Sequence, residues 1–271
     1  MMDRRSFLLK GASGAAAASA VPLIAGSGLA TSATGADAPT LPYLVEWVTF
    51  RLQSGPQVTN ALRWLEKRAM PLWQKHKFGP VGVFTVDVGG HLPAVHFMRI
   101  YLSLSDRQAV WSELRADPEW DATLADLEKD GPAFYREDMI LLNSTPFSPP
   151  IKPWATGDPT HKIYELRIYE SPTWKQLGYL HDRFAGGEID IFHKSGIHPV
   201  FYADTLTGPN QPNMVYMIPF ESAAQREQAW QTFRENPDWV KIREESIRKG
   251  GEIVRNITNM VLIPTGFSML R

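Results

Sequence analysis

Two glutamates, Glu46 and Glu165, stand 119 positions apart in matching strand-like contexts. Carboxylates enclosed together could share a proton as an acid–base pair or hold a cation. Arg167 follows Glu165 by two residues, so on a strand they share a face and can instead neutralise one another. Histidines occur at positions 76, 91, 96, 161, 181, 193 and 198, and none has the HExxH spacing of a zinc site. His96 lies in the apolar run Val95-His96-Phe97-Met98, and His198 precedes Pro199 where a strand begins. Either could face a cavity as a base or haem ligand, or serve as a hydrogen-bonded structural residue. His181 and Glu188 fall on the apolar stripe of one helix, where each needs a polar partner. There is no GxSxG elbow, phosphate loop or dinucleotide fingerprint, and Gly186-Gly187 reads as a helix break that cradles nothing. With no cysteine, disulfides, thiolate nucleophiles and cysteine-bound metals are excluded. The ligand-binding candidates are therefore Glu46, Glu165, Arg167, His96 and His198; no metal site is expected and no residue is assigned to catalysis.

The elements that must position these residues are written twice. Asp117-Pro118-Glu119-Trp120 returns as Asn236-Pro237-Asp238-Trp239, and Lys75, Pro80, Gly89, Ser103, Arg107 and Trp111 return as Lys194, Pro199, Gly208, Ser222, Arg226 and Trp230. A period of 119 is a duplicated domain and not a solenoid unit. In the first copy, Tyr43 to Leu52 alternates as a strand, with Leu44, Glu46, Val48 and Phe50 on one face and Val45, Trp47, Thr49 and Arg51 on the other. A helix is predicted from about Gln57 to Lys77, which Pro71 should kink or end early. Strands at 81–88 and 94–102, a helix capped by Ser103, a new helical turn at Asp117-Pro118, and a closing strand at 139–142 complete the order β-α-β-β-α-β. The second copy repeats this order. Each unit is thus ferredoxin-like and α+β, with helices on one face of an antiparallel sheet and the other face bare. Packing the two bare faces together within one polypeptide gives a dimeric α/β barrel whose interior can hold a small ligand.

Composition sets the remaining bounds. The 271 residues are 44% hydrophobic, enough for a sizeable core. The formal charge of −1 becomes −3 without Asp3, Arg4, Arg5 and Lys10, which gives no footprint for nucleic acid. Residues 1–38, with Arg4-Arg5-Ser6-Phe7-Leu8 ahead of an Ala/Gly/Ser-rich run, resemble a twin-arginine export leader, so a periplasmic or otherwise exported product is expected. Pro22 and the small residues argue against a membrane anchor, and no stable insertion is expected after cleavage. The units are read as 41–147 and 161–271, joined by a proline-rich linker over 148–160.

Tyr164-Glu165-Leu166-Arg167-Ile168-Tyr169 resembles the opening of NIPSNAP-family domains, Lys194-Ser195-Gly196-Ile197 their helix exit, and Ala116-Asp117-Pro118-Glu119-Trp120 their helix junction. The first copy departs at Val45-Glu46-Trp47-Val48, and Lys77 stands where the second copy has Gly196. The resemblance spans nearly all of the mature chain. It is similar to a wider barrel group of cofactor-independent monooxygenases, haem-handling enzymes and plain binding proteins, and it brings no agreed catalytic residues. The expected function is binding of a small apolar or aromatic molecule in the barrel, without a cofactor. A cofactor-independent or haem-linked monooxygenase-type enzyme is the alternative, and an interaction module with a filled barrel the second. Because the halves pair internally a monomer suffices, although homo-oligomers remain open.

Overall fold

Both halves of the chain fold to the same plan in the computed structural model, which describes residues 42–155, 158, 160 and 163–271. The leader-like start and His161 lie outside the described residues. The first module runs β1 (Leu44–Arg51), α1 (Pro56–Trp64), a π-helical turn (Leu65–Ala69), α2 (Met70–Lys75), β2 (Gly82–Val88), β3 (Ala94–Tyr101), α3 (Leu104–Ala116), α4 (Pro118–Glu128) and β4 (Arg136–Ser144). The second runs β5 (Ile163–Glu170), α5 (Trp174–Arg183), a π-helical turn (Phe184–Glu188), α6 (Ile189–Lys194), β6 (Phe201–Thr207), β7 (Asn213–Phe220), α7 (Ala223–Glu235), α8 (Pro237–Gly250) and β8 (Asn256–Pro264). Among these described elements no helix is long and apolar enough to cross a membrane.

The strands close into one barrel in the order β1-β3-β2-β8-β5-β7-β6-β4. Two seams join the modules: β4 pairs with β6 (Leu142↔Thr205, Ser144↔Ala203) and β2 with β8 (Phe84↔Pro264, Val86↔Leu262). Each module also extends a short segment onto the other. Thr145 N donates to Tyr202 O and Tyr202 N to Ser148 Oγ, while Thr265 N donates to Val83 O and Val83 N to Ser268 Oγ. Thr145 and Ser148 match Thr265 and Ser268 at a spacing of 120, because the second copy gains a residue after the helix junction. This reciprocal clasp makes the start of the proline-rich linker part of the folded body and not a free spacer.

Local sequence accounts for the helix ends. Ser103 Oγ accepts from Asp106 N at 3.0 Å and Ser222 Oγ from Gln225 N at 3.1 Å, satisfying amides that the helices leave open. Asp117 and Asn236 cap α4 and α8, with Pro118 and Pro237 at the start where no amide is needed. Pro71 does not end its helix. It falls at the first positions of α2, just after the wide turn, where a missing amide leaves no gap in the ladder. Gly186-Gly187 does break the matching helix: Gly187, at φ 141° and ψ −19°, is non-helical, so α5 and α6 meet across a kink before the chain continues to Lys194.

Three cores result. Leu44, Val48 and Phe50 of β1 lie beneath the helices of the first module with Trp64, Trp73 and Phe97. Tyr169, Phe184, Phe192 and Tyr216 form the equivalent layer of the second. The barrel interior holds Val45, Trp47, Phe84, Met98, Tyr164, Phe201, Met217 and Leu262. Trp47 stacks on Phe84 with ring centroids 6.1 Å apart, and Phe84 meets Tyr164 edge-on at 5.2 Å, so part of the interior is filled.

Candidate functional site

The two glutamates do not meet inside the barrel. Glu46 shares its strand face with Leu44, Val48 and Phe50, and that face looks outward to the helices. Its oxygens accept from Arg99 Nη2 at 2.9 Å and from Arg107 Nε and Nη2 at 3.0 and 3.1 Å. Glu165, fully buried, accepts from Arg167 Nη1 at 2.7 Å, Arg226 Nε at 2.8 Å, Trp230 Nε1 at 2.7 Å and Asn259 Nδ2 at 3.3 Å. Burial pushes both carboxyls up, but the facing guanidiniums outweigh it and hold both below the ordinary range. Each is a saturated anion that ties a strand to the helix above it through Arg107 or Arg226. Neither has a lone pair directed at a cavity, which suits a structural ion pair better than acid–base work.

His96 is differently placed. On β3 it alternates with Val95 and Phe97 and therefore points into the barrel, where it is 4% exposed. Trp47 Nε1 lies 3.1 Å from its Nδ1, and Thr49 Oγ1 lies 2.9 Å from the same atom. An indole N–H only donates, so Nδ1 is the acceptor and the neutral ring carries its proton on Nε2. Burial, helped by the charge of Arg51, lowers the imidazole pKa to about 4 and keeps the ring neutral near pH 7. Nε2 is buried and has no hydrogen-bond partner. It belongs to a chamber of about 90 Å³ lined by Trp47, Ile140, Leu142, Leu166, Val215 and Met260, with Pro209 and Asn210 at the exposed rim. Asn213, also on the wall, is spent on Thr205 Oγ1 (2.6 Å) and on the carbonyls of Pro209 and Asn210. The chamber is therefore mostly apolar, and His96 Nε2–H is the buried side-chain polar atom among its described lining residues that lacks a partner.

The other candidates lie elsewhere. Arg167 belongs to the Glu165 network, with its guanidinium 4.4 Å over the Trp230 ring. His198 is exposed and stacks on His193 at 5.0 Å, remote in role from the barrel lining; burial, then His193, lowers its pKa. His181 Nε2 pairs with Asp204 at 2.9 Å and His76 Nε2 with Asp117 at 2.7 Å. Glu188 finds Arg183, whose Nε donates to it at 2.8 Å. Arg183 escaped sequence reasoning, and the signal that finds it is the matched position in the first copy, Trp64: an indole exchanged for a guanidinium inside a buried helix stripe. Among the described residues no group of His, Asp and Glu could hold a metal ion. A haem does not fit the His96 chamber, because 90 Å³ is far below the roughly 300–1,000 Å³ of ordinary ligand pockets.

Comparison with known proteins extends this geometry. No curated protein matches the chain. A nominal monooxygenase from Fusobacterium nucleatum subsp. nucleatum shares the fold at 6% identity over 83% of this chain and 93% of that one, with TM-score 0.55. Another from Lactobacillus acidophilus NCFM does so at 12% identity over 82% and 93%, with TM-score 0.53. A NIPSNAP domain protein from Burkholderia xenovorans is 26% identical over 40% of this chain and 99% of its own length, with TM-score 0.35. The NIPSNAP family profile matches twice, over residues 45–149 and 164–269. Two tandem NIPSNAP domains, each supplying four strands to one closed barrel, place this chain in the NIPSNAP family.

Proposed function

We propose that the protein binds a compact small molecule in the end chamber of its barrel, with an oxygen of the ligand accepting from His96 Nε2–H. The observation that carries this reading is a buried donor, fixed in its tautomer by Trp47, facing an apolar chamber with no protein acceptor. An unmet buried N–H costs about 1–3 kcal/mol, and a ligand carbonyl or phenol oxygen recovers it. The chamber is smaller than the engineered cavity of about 150 Å³ that admits benzene, so the enclosed part of the ligand is at most one ring, seated by movement of the flexible Met260. The rest projects past Pro209 and Asn210. Binding is favoured over proton abstraction because the unpaired nitrogen of His96 already carries its proton and the ring is a weak base.

Native mass spectrometry of the full chain, gently purified, tests this. The wild type is expected to retain a small molecule that His96→Phe loses while its thermal midpoint stays within a few degrees. A His96→Phe protein retaining the same molecule would contradict the assignment. We further propose twin-arginine export, supported by Arg4-Arg5-Ser6-Phe7-Leu8 at the start of the chain. Replacing both arginines by lysine should hold the protein in the cytoplasm; undiminished periplasmic recovery would rule the route out.

A further inference from the structure

Matching the modules position by position reveals a set of changes gathered in one place. On the helix-facing side of the first module Phe50, Trp64, Ala69, Val83 and Phe97 form part of one apolar core. Their counterparts 119 positions later are Tyr169, Arg183, Glu188, Tyr202 and Tyr216. In the first module the space beside α4 is plugged: Trp64 Nε1 donates to Thr123 O at 2.7 Å, and Phe134 stacks on Phe50 with ring centroids 4.4 Å apart. In the second, Arg183 and Val254 stand in those two places. The equivalence is fixed by backbone, since Tyr135 N donates to Arg51 O just as Arg255 N donates to Glu170 O. Where the plug is missing, a groove of about 650 Å³ opens against Tyr169, Arg183, Trp239, Arg243, Arg255 and Ile257.

Arg183 is built into this groove. Its side chain is 7% exposed, its Nε donates to the buried Glu188 Oε2 at 2.8 Å, and its guanidinium lies 5.1 Å over the Trp239 ring. The two terminal nitrogens make no hydrogen bond among the described residues. A guanidinium held from behind by a carboxylate and from below by an indole keeps its fork in one orientation, the arrangement that takes a carboxylate bidentately. The remaining charge of the groove is positive on balance. Arg243 has no ion pair among the described residues, and Arg255 lies 3.7 Å from Glu252, the acidic residue of the lining. Around these cations the wall is apolar, with Ile247 and Ile257 each more than 40% exposed. Tyr202 Oη, buried beside Glu188, has no hydrogen-bond partner, so the polar cluster at the back of the groove has unused capacity.

We propose that this groove is a second binding site, specific to the second module, for an organic carboxylate with an apolar body. The carboxylate sits on the Nη atoms of Arg183, assisted by Arg243, and the body covers Trp239, Ile247 and Ile257. A volume of this size suits a fused-ring or medium-chain acid, within the roughly 300–1,000 Å³ usual for small ligands. The site is independent of the barrel chamber.

Calorimetric titration of the full chain with naphthoate and with its neutral amide, naphthamide, tests the assignment. The acid should bind saturably at one per chain, and the amide roughly thirtyfold more weakly, for want of the charged fork. Arg183→Met should weaken naphthoate binding by about the same factor. Val254→Phe, which restores the plug of the first module, should abolish it without lowering the thermal midpoint. His96→Phe should leave it unchanged, which separates this site from the barrel chamber. Equal binding of acid and amide, or full affinity in the Val254→Phe variant, would overturn the proposal.

Discussion

At the scale of single residues, ionised groups buried in this protein fall into two kinds with opposite pH behaviour. Glu46 and Glu165 have folded-state pKa values below the ordinary carboxylate range, so the unfolded chain binds protons first as the pH falls. Their contribution to stability is complete above about pH 4.3 and disappears as the pH drops through the lower folded values. Burial pushes Glu188 up to about 6 despite its bond to Arg183. For this group the folded state holds its proton longer, so its contribution is complete below about pH 4.3 and is lost as the pH rises through about 6. His96, held neutral by the fold, makes stability rise with pH over the same window. The Glu188 share is therefore the difference between wild type and Glu188→Gln in urea titrations, which should shift against the wild type by on the order of 2 kcal/mol from about pH 4.3 to above 6. A difference that does not change with pH would contradict it. Glu165→Ala, which strands Arg167 and Arg226 without their anion, should cost about 3–5 kcal/mol, whereas Glu66→Ala at an exposed pair with Lys67 should change stability by less than about 0.5 kcal/mol. Equal costs at the two sites would show that the Glu165 network is not structural. The sequence made the strand face shared by Glu46, Leu44, Val48 and Phe50 legible. It did not reveal which way that face looks, because both faces of a barrel strand covered by helices are buried and periodicity carries no sign.

At the scale of elements, the helix that runs from each first strand is the part that sequence rules described least well. Pro71 and Gly186-Gly187 both read as breaks; the first helix passes through by widening one turn, whereas the second is kinked at the non-helical Gly187. The wide turn also places Ala69 and Glu188 at matching points facing the sheet, so it decides which side chain enters the helix–sheet layer. Gly187 at φ 141° has open space around its missing Cβ, so Gly187→Ala tests backbone conformation alone. It should cost about 1–3 kcal/mol in thermal or chemical unfolding. Gly186→Ala, in the same turn but without a positive φ, should be neutral or stabilising by up to about 1 kcal/mol. If both substitutions cost the same, the kink is not held by the conformation of Gly187. The caps at Ser103, Ser222, Asp117 and Asn236, in contrast, were readable from residue type and spacing, since capping is a local interaction between neighbours in sequence.

At the scale of the whole molecule, duplication gives closure, and the two proposed sites lie where the copies diverge. Two half-covered sheets hide their bare faces in each other, and the seams β4–β6 and β2–β8, with the Thr145–Ser148 and Thr265–Ser268 clasps, join them. Calorimetry should therefore show one cooperative transition, since neither module retains a covered sheet without the other; two separated transitions would mean the modules fold as independent units. The 119-residue repeat was enough to infer this closure, because a duplicated open sheet has few other ways to cover itself. What a repeat conceals is where its copies differ. Trp47, Thr49 and His96 are matched by Leu166, Ile168 and Val215, so the barrel chamber carries its unpaired buried donor on the first module's wall, while the matching positions of the second are apolar. The measurement that tests this asymmetry most directly is long-range proton–nitrogen NMR of His96 in the full chain, recorded with and without phenol as a compact oxygen-bearing probe. The account predicts a neutral ring protonated at Nε2 down to about pH 5, whose Nε2 and Hε2 signals shift saturably as phenol is added. A ring protonated at Nδ1, or one charged at neutral pH, or one indifferent to phenol at saturating concentration, would contradict it.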